Sequence, residues 1–383
     1  MARATSPSHH PSRPHKGRPP GQDGASVAYR GRGARSNISG RYEKESREPI
    51  DDGWEGEEDK SPLRTDVTIE VPRKIINYIN SPYVGFDRSI NPYRGCEHGC
   101  TYCFARPSHA YYGLSPGRDF EQKLFAKPNA AERLEKELIS KTYKPRLIAI
   151  GTNTDPYQPI ERQFKLMRGI LKVLSDFKHP VSLLTKSAMI TRDIDILDPM
   201  ASAGIVKAML SITTLDPKLS RAMEPRASAP KRRFEAVRQL SAAGIPVGVM
   251  TAPMIPGLND SELENILEAS KEAGAQFVGY TVIRLPMEVS GLFQEWLESA
   301  YPDRAARVMR HMRELNGGVI YDANWSRAKK PRSVYAKLLA DRFAKAARRL
   351  SLSTEMPALN IDAFQPPPKE GGQLSLFSES PSG

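Results

Sequence analysis

From about residue 85 to residue 285, short apolar runs alternate with amphipathic windows of helical period. The apolar runs predict strands at residues 87–91, 147–150, 181–184, 206–212, 247–250 and 277–282. The amphipathic windows predict helices at residues 130–139, 164–174, 190–200, 234–240 and 263–269. Strands that alternate with helices indicate βα repeats around a parallel sheet, and either an open barrel or a doubly wound sheet satisfies this pattern.

The two ends of the chain follow other patterns. Beyond Pro286 the alternation stops, and windows at residues 303–315 and 334–350 predict C-terminal helices. Residues 1–62 are rich in Pro, Gly, Ser, Arg and His and turn from basic to acidic, which predicts a disordered leader, either a solvated segment or a basic arm for nucleic acid. Residues 351–383 predict a flexible tail, so residues 63–350 form the predicted folded domain with its helical extension.

Composition narrows the class of protein. The 383 residues include 56 Lys and Arg against 44 Asp and Glu, a net charge of +12 that permits a polyanionic partner. Three cysteines do not make the disulfide framework of a small secreted domain. The sequence has neither an apolar run near the roughly 18 residues of a membrane span nor an N-terminal apolar signal region. We therefore expect a soluble, cytoplasmic protein with no membrane partner.

All the cysteines of the chain fall within one short loop: Cys96, Cys100 and Cys103. Their spacing is C-x3-C-x2-C, and in a reducing compartment such a thiolate cluster indicates a metal or iron–sulfur site. Gly95 and Gly99 allow the backbone to wrap closely around a bound group. A zinc site that uses His98 as fourth ligand is the alternative, but zinc sites usually show two separated ligand pairs.

The cysteine spacing, with Tyr102 directly before the last cysteine, resembles that of the radical S-adenosylmethionine (SAM) enzymes. The resemblance implies an α/β fold, an incomplete (β/α)6 barrel, and a [4Fe-4S] cluster whose open iron binds SAM. It also implies that Tyr102 lies against the SAM adenine. The implied reaction is reductive cleavage of SAM to a 5′-deoxyadenosyl radical, which abstracts hydrogen from a substrate and needs an electron donor such as flavodoxin or ferredoxin.

Small polar residues follow several predicted strands, at the edge where βα folds collect function. Read singly, such residues are also ordinary helix caps and turn formers. Together with the resemblance they extend the predicted SAM-binding set beyond Tyr102 to Gly151, Asn153, Thr154, Asp155, Lys186, Ser211 and Thr213.

Within the superfamily, residues 85–285 are most similar to the spore photoproduct lyase group. In that group the residues that match Thr154, Lys186 and Ser211 contact SAM. The lyase returns a hydrogen atom through a cysteine, but Thr152 stands at that place here. It also uses a tyrosine where this chain has Phe104. The chain is therefore identified as a member of this group without the site of a true lyase.

The residues expected to take part in the chemistry are Tyr102, Thr152 and Tyr157. Since the hydrogen-return cysteine of the lyase group has no counterpart here, a tyrosine is the alternative donor. The candidates for that role are Tyr111, Tyr112 and Tyr157.

The C-terminal tail contains a short peptide with apolar residues in a polar context. It resembles the peptide by which bacterial polymerases and repair proteins bind the DNA sliding clamp, and the matching residues are Gln373, Leu374, Leu376 and Phe377. A flexible tail can present two apolar anchors to a groove, so the clamp is an expected partner.

These features favour a radical SAM enzyme that acts on DNA, in repair or lesion processing. The DNA substrate rests on the resemblance, the basic charge and the tail. One alternative is modification of RNA or of a small molecule. Another is a non-catalytic iron–sulfur adaptor of DNA repair that the clamp recruits.

Overall fold

A computed structural model describes residues 29, 31–43, 64–81, 84–321 and 333–367. The strands are β1 (Asp66–Ile69), β2 (Ile76–Tyr78), β3 (Arg88–Ile90), β4 (Tyr93–Arg94), β5 (Lys123–Ala126), β6 (Ile148–Ile150), β7 (Val181–Thr185), β8 (Val206–Ser211), β9 (Val247–Met254) and β10 (Phe277–Val282). They form a large sheet and a small three-stranded sheet, β1-β5-β4.

The α-helices of the described residues are α1 (Asp119–Gln122), α2 (Ala130–Leu138), α3 (Glu161–Phe164), α4 (Leu166–Asp176), α5 (Ile194–Ser202), α6 (Pro217–Met223), α7 (Pro230–Ala242), α8 (Leu263–Glu272), α9 (Val289–Ala300), α10 (Pro302–Leu315) and α11 (Val334–Arg349). Short 3-10 segments lie at Arg106–Tyr112, Ala188–Asp193 and Asp260–Glu262. None of these helices is long and apolar enough to cross a membrane.

The large sheet distinguishes between the two architectures that the hydrophobic pattern left open. Its order is β2-β3-β6-β7-β8-β9-β10, with β2 antiparallel at the edge and the other strands parallel. From β3 to β10 the order in space is the order in the chain. A doubly wound sheet reverses its strand order at a switch point, whereas a βα barrel does not. The sheet is therefore an incomplete (β/α)6 barrel, as the resemblance implied.

The main core lies between this sheet and the helices that follow its strands. Strands β6 and β8 are buried along their whole length, because side chains on both faces are covered. Helix α4 buries Met167, Ile170 and Leu171 against the sheet, and α11 adds Phe343, whose ring centroid lies 4.6 Å from that of Tyr280. The helices thus cover the sheet, and the loops at the carboxyl ends of the strands are left to form a site.

A second core lies beneath the cysteine loop. Helices α9 and α10 pack Phe293, Trp296 and Met312 into a cluster that also contains Cys100 and Tyr102. The apolar pattern predicted α10 and α11 but not α9, so the extension has one more helix than expected. Because α9 packs against the cysteine loop, it is part of the structural support of that loop.

The prediction of a disordered leader over residues 1–62 is wrong for residues 31–43, which we call the strap. Gly33 N and Ala34 N each donate a 2.8 Å hydrogen bond to the buried carboxylate of Glu121. Ser36 Oγ donates to Glu295 Oε2 at 2.7 Å. Polar contacts hold the strap, so apolar periodicity gives no sign of it. Residues 1–28 and 44–63 lie outside the described residues.

The prediction of a flexible tail from residue 351 also needs correction. Leu352 is buried, Ser353 forms a parallel bridge with Phe277, and the ring of Phe364 packs against Phe177 and His179. Ordered contacts therefore continue to Gln365, whose N–H donates to the carbonyl of Phe177 at 3.0 Å. The clamp-like peptide at residues 373–377 lies outside the described residues, so its role stays a prediction.

Candidate active site

The cysteine loop, residues 95–104, leaves β4 through a glycine turn that no other residue could make without strain. Gly95 has φ of +71°, and a Cβ there would lie 2.5 Å from Leu124 Cδ2 and 2.8 Å from the carbonyl of Phe120. Cys96 and Cys100 are buried, and Cys103 is partly exposed. The loop therefore presents three thiols from a backbone that is packed tightly on its inner side.

Four hydrogen bonds to three partners fix this loop. Cys96 N donates to the carbonyl of Phe120 at 2.9 Å. Arg106 Nε and Nη2 both donate to the carbonyl of Cys100, at 2.9 and 2.8 Å. Thr101 N donates to the carbonyl of Met223 at 3.0 Å. The loop backbone is thus preorganised, and one of its anchors comes from the end of α6.

Asp155, predicted to bind SAM, connects three loops at strand ends through its carboxylate. Its Oδ1 accepts from Thr185 Oγ1 at 2.7 Å, its Oδ2 accepts from Lys186 N at 2.7 Å, and His98 Nδ1 lies 3.3 Å from Oδ2. Burial opposes ionisation, but the charge of His98 and these hydrogen bonds outweigh it and hold the pKa of Asp155 below its ordinary value. Asp155 therefore positions β7 and the cysteine loop.

Glu224 is the centre of a second buried cluster, beside Cys100 and Tyr102. Its Oε1 accepts from the Tyr102 hydroxyl and from Thr213 Oγ1, the latter at 2.9 Å, and lies 3.2 Å from Lys186 Nζ. Its Oε2 accepts from Arg233 Nη2. Lys186 Nζ also donates to Ser211 Oγ at 2.5 Å. Residues from the cysteine loop, β7, β8 and α7 thus meet at one carboxylate.

The electrostatics of this cluster keep its acid ionised and its phenol protonated. Burial alone would raise the pKa of Glu224, but the cations Arg233 and Lys186, with the donated hydrogen bonds, hold it well below its usual range. Burial, together with the Glu224 charge, raises the pKa of Tyr102 well above its ordinary value. The Tyr102 hydroxyl therefore remains a donor to Glu224 at any physiological pH.

Four residues of the predicted SAM-binding set are brought together in this cluster: Tyr102, Lys186, Ser211 and Thr213. Lys186 Nζ lies 5.6 Å from the centroid of the Tyr102 ring, a cation–π distance. The other predicted members follow β6. They are Gly151, Asn153, Thr154 and Asp155, and their placement differs from one to the next.

Gly151 and Thr154 have structural duties of their own. A Cβ at Gly151 would lie 1.9 Å from the carbonyl of Leu184, so this position requires glycine for the approach of β6 to β7. Thr154 is buried, and its hydroxyl donates to the carbonyl of Tyr93 at 3.0 Å. Thr152 and Asn153 are half-buried, and within the described residues their side chains make no hydrogen bond, which leaves them available to a ligand.

The tyrosines considered for hydrogen return lie in two different environments. Tyr157 is buried in the main core, and its hydroxyl donates to Asp193 Oδ2 at 3.1 Å, so the structure does not bring it to the Glu224 cluster. Tyr111 and Tyr112 are exposed and lie on the 3-10 segment that follows the cysteine loop. Phe104, next to Cys103, is also exposed.

Sequence reasoning did not recognise the central role of Glu224, and it missed Arg233 altogether. Glu224 directly follows α6, where no local pattern marks it, and Arg233 lies on a helix whose sequence is that of an ordinary basic segment. A fully buried arginine is rare unless it is paired. The amphipathic pattern of α7 could have revealed it, since Arg233 falls next to Phe234 on the buried side of the helix.

The comparisons with known proteins agree with this arrangement. The sequence profile of the radical SAM superfamily matches residues 90–269. An uncharacterized protein of Mycobacterium tuberculosis is 36% identical over 230 residues, which are 60% of this chain and 68% of the relative. An uncharacterized protein of Methanocaldococcus jannaschii is 30% identical over 232 residues, which are 60% of this chain and 82% of the relative.

Solved structures with the same fold include spore photoproduct lyase complexed with dinucleoside spore photoproduct. Its TM-score is 0.50 at 15% identity, and the match covers 74% of this chain and 79% of that one. A variant of the lyase with bound SAM and the same dinucleoside gives 0.50 at 13% identity, over 76% and 82% of the two chains. At such identity the likeness is one of fold.

An incomplete βα barrel with three cysteines on the loop after its first parallel strand defines the class of radical SAM enzymes. The chain belongs to the radical SAM superfamily. Members of this superfamily typically bind a [4Fe-4S] cluster and SAM.

The residues present fit such a cofactor pair. A four-iron cluster takes one thiolate per iron, so its ligands need not converge on one point. Among the described residues, no three His, Cys, Asp or Glu side chains are grouped to hold a single metal ion, so the arrangement does not favour the zinc alternative with His98. The buried hydroxyl of Thr101, within the loop, has no hydrogen-bond partner in the described chain.

Proposed function

We propose that the chain is a radical SAM enzyme that acts on DNA, in repair or lesion processing. The observation that carries the proposal is the junction of the cysteine loop with the Glu224 cluster. Through Tyr102 and Met223, the loop that would hold an iron–sulfur cluster is joined to Lys186 and Ser211, the residues that would hold SAM.

In this proposal Cys96, Cys100 and Cys103 hold the cluster. Tyr102, Lys186 and Ser211 bind SAM together with Thr213, and the β6 loop contributes Asn153. When bound, the cluster and SAM supply a 5′-deoxyadenosyl radical for hydrogen abstraction, with electrons from a donor such as flavodoxin or ferredoxin.

The chain's own contribution is to hold these groups rigidly and away from water. Glu224 stays ionised and fixes the ammonium of Lys186 between two oxygens, its own Oε1 and Ser211 Oγ. Tyr102 is held by its hydrogen bond to the same carboxylate. Because every one of these groups is locked by a partner, little reorganisation is needed when SAM binds.

DNA is proposed as the substrate on three grounds. The chain has a net charge of +12, which favours association with a polyanion. The lyase of the same fold was solved with a dinucleoside photoproduct. The clamp-like peptide at residues 373–377 would deliver the enzyme to DNA in the cytoplasm. Thr152 and Phe104 replace two residues of the lyase hydrogen path, so the lesion differs from spore photoproduct or the hydrogen returns by another donor.

Hydrogen return from an exposed tyrosine is part of the same proposal, and Thr152, which stands where the lyase group has its cysteine, would contact the reacting groups. Thr152 lies at the end of β6 with no hydrogen-bond partner among the described residues, whereas Tyr157 is bound to Asp193 in the core. Tyr111 and Tyr112 are the exposed phenols that follow the cysteine loop along the chain. Substitution of Tyr111 or Tyr112 by phenylalanine would then slow product formation without changing SAM binding.

The proposed function is tested by anaerobic reconstitution with iron and sulfide, followed by reduction in the presence of SAM. We expect 5′-deoxyadenosine, and with DNA deuterated in its sugar and base carbons we expect deuterium in that product. Intact DNA, damaged DNA and RNA are compared. Variants with alanine at Cys96, Cys100 and Cys103 should bind no cluster.

Three results would contradict the proposal. A reduced protein that binds SAM but never forms 5′-deoxyadenosine is an iron–sulfur adaptor and not an enzyme. Deuterium transfer from RNA alone would assign the other substrate. A four-iron cluster in the triple cysteine variant would place the metal elsewhere in the chain.

A further inference from the structure

The loop between α6 and α7, which carries Glu224 into the site, borders two basic pockets. The first, the Arg232 pocket, has a volume of about 440 Å³, and its lining includes Arg162, Ser187, Thr191, Ser228 and Arg232. The second, the Arg221 pocket, has a volume of about 420 Å³, and its lining includes Arg35, Arg221, Pro225 and Trp296. Pro225 and Ser228 belong to the same loop, so both pockets border it.

Each pocket has two arginines with free guanidinium groups. Within the described chain, the guanidinium groups of Arg162 and Arg232 form no hydrogen bond or salt bridge, and the same holds for Arg35 and Arg221. Arg192, which also lines the Arg232 pocket, is instead committed to Glu161 and Asp193, at 2.7 and 2.8 Å. The free arginines are therefore available to an anion.

The linings contain no acidic side chain that would repel an anion. In the Arg232 pocket the hydroxyls of Ser187 and Ser228 accept hydrogen bonds from backbone N–H groups, so their own protons remain available to an anion. Helix α7 begins next to this pocket, and Ala229 gives it no side-chain cap, so its positive end adds to the field. Arginine forks and hydroxyls are the groups that bind phosphate oxygens in proteins.

We propose that a phosphodiester strand crosses the α6–α7 loop, with one phosphate in the Arg232 pocket and another in the Arg221 pocket. The inference rests on the proposed function and deepens it, because it assigns the place where the substrate strand is held. A small anion needs one such pocket. A repeating polyanion uses both, and its path across the loop brings it next to the peptide that carries Glu224.

The pockets also explain why the free arginines are divided between two parts of the chain that share this loop. Arg35 belongs to the strap, and Arg162 belongs to α3. Residues so far apart in sequence reach one ligand because the strap and the β7 side of the barrel both pack beside the loop. Each volume is within the range of pockets that hold a nucleotide-sized group.

The test is a binding measurement on the full-length protein, by fluorescence anisotropy of a labelled single strand of about 12 nucleotides. One double variant is Arg162→Ala with Arg232→Ala, and another is Arg35→Ala with Arg221→Ala. The control is Arg238→Ala with Arg310→Ala, which removes two charges from exposed helix positions paired with Glu235 and Glu314. Circular dichroism confirms folding of each.

We expect each pocket variant to weaken binding by about tenfold near 0.1 M salt. Each should also lower the slope of log K against log salt by about 0.7 for every phosphate that the variant no longer binds. The control should leave the slope unchanged. The combined variant should show the sum of both reductions, and competition by thymidine monophosphate or inorganic phosphate should be weak, because neither spans two pockets.

Other outcomes overturn the inference. Equal slopes in wild type and both variants would show that the strand lies elsewhere. Loss of monophosphate binding with unchanged strand binding would make the pockets sites for a free phosphate. The binding measurement needs no cofactor, so its result is independent of the deuterium experiment. Pocket-dependent binding without deuterium transfer would contradict the proposed reaction but support the strand site.

Discussion

The carboxylate of Glu224 holds its charge where no water reaches it. Its partners, the cations Lys186 and Arg233 and the hydroxyls of Tyr102 and Thr213, occupy both of its oxygens. A buried ion pair of this kind is a poor source of net stability compared with apolar packing, but losing one partner leaves the others uncompensated. The cluster therefore specifies one arrangement of the site, and any change in its charge is costly.

Replacing Glu224 by glutamine tests this at the level of stability. Glu224→Gln keeps the size of the side chain but leaves Arg233 and Lys186 without a counter-charge, so we expect the free energy of unfolding to fall by about 3–5 kcal/mol. Urea denaturation followed by circular dichroism measures the loss. Glu235→Gln, on the exposed face of α7, is the control and should leave stability unchanged. Similar losses in the two variants would contradict the burial argument.

The same residue predicts a pH dependence. The folded pKa of Glu224 lies below its ordinary value of 4.5, so its stabilising contribution is complete above that value and is lost as the pH falls. As the pH falls below about 4.5, the unfolding free energy of the wild type should drop more steeply than that of Glu224→Gln. Equal slopes in the two proteins would mean that another acidic group causes the loss of unfolding free energy at low pH.

Within the Glu224 cluster, Lys186 is the residue that we expect to contact SAM directly. Lys186→Met keeps the aliphatic stem but removes the ammonium, so we expect SAM affinity to fall by about tenfold or more while the iron content per chain stays constant. Equilibrium dialysis with labelled SAM and an iron assay give the two values. Lys136→Met, which removes an exposed charge paired with Glu132, should change neither. An unchanged affinity would remove Lys186 from the SAM site.

At the scale of elements, the cysteine loop depends on glycines that match a crowded neighbourhood. Gly99 and Gly113 both have φ of +66°, but a Cβ at Gly99 would lie 2.8 Å from Glu121 Oε2, whereas one at Gly113 would meet nothing within 4 Å. Glu121 cannot yield, because the strap and Arg106 hold it. A comparison of substitutions at the two glycines therefore separates the cost of backbone strain from the cost of steric collision.

Gly113→Ala should therefore cost about 1 kcal/mol, the strain of a left-handed residue, and leave the cysteine loop intact. Gly99→Ala should cost about 3 kcal/mol, because overpacking adds to that strain, and should lower the amount of iron bound after reconstitution. Denaturation curves and iron assays on both variants make the comparison. Equal iron contents would show that the loop tolerates displacement at Gly99.

The elements that sequence analysis predicted well are those held by apolar packing. Strands β6–β10 and helices α2, α4, α7 and α8 bury residues at regular spacing, and that spacing is visible in the sequence. The apolar pattern gives no sign of strand β5 or helix α9, and the composition of the strap predicts disorder. The strap is held by Glu121 and Glu295, which lie far away in the chain, and no local pattern records such partners.

In the candidate site, too, some residues have a local sequence signal and others can be recognised only from the fold. The three cysteines and Lys186 were predicted because a spacing and a resemblance point to them. Glu224 and Arg233 could be identified as site residues only from the fold, because their role depends on their pairing with each other. Tyr157 was a candidate for chemistry on its residue type, but the fold uses it to bind Asp193 in the core. Residue type alone does not say which side of a strand end a hydroxyl occupies.

At the scale of the whole molecule, the clamp-like tail should decide where the enzyme works. With its two apolar anchors removed, as Leu376→Ala and Phe377→Ala, the protein should no longer be captured by purified sliding clamp, while its circular dichroism spectrum stays the same. Ser378→Ala, directly beyond the motif, is the control and should bind as the wild type does. Absence of wild-type binding would exclude the clamp as a partner.

The strap precedes the cysteines in the chain, yet the partners that hold it are made later. Gly33 and Ala34 bind Glu121, and Ser36 binds Glu295, a contact that spans 259 residues. During synthesis the strap can bind Glu121 early, but its contact with Glu295 forms only after residue 295 has left the ribosome. The last of these contacts joins the N-terminal part of the chain to α9 only when most of the barrel has been made, so the strap is fully fixed late in folding.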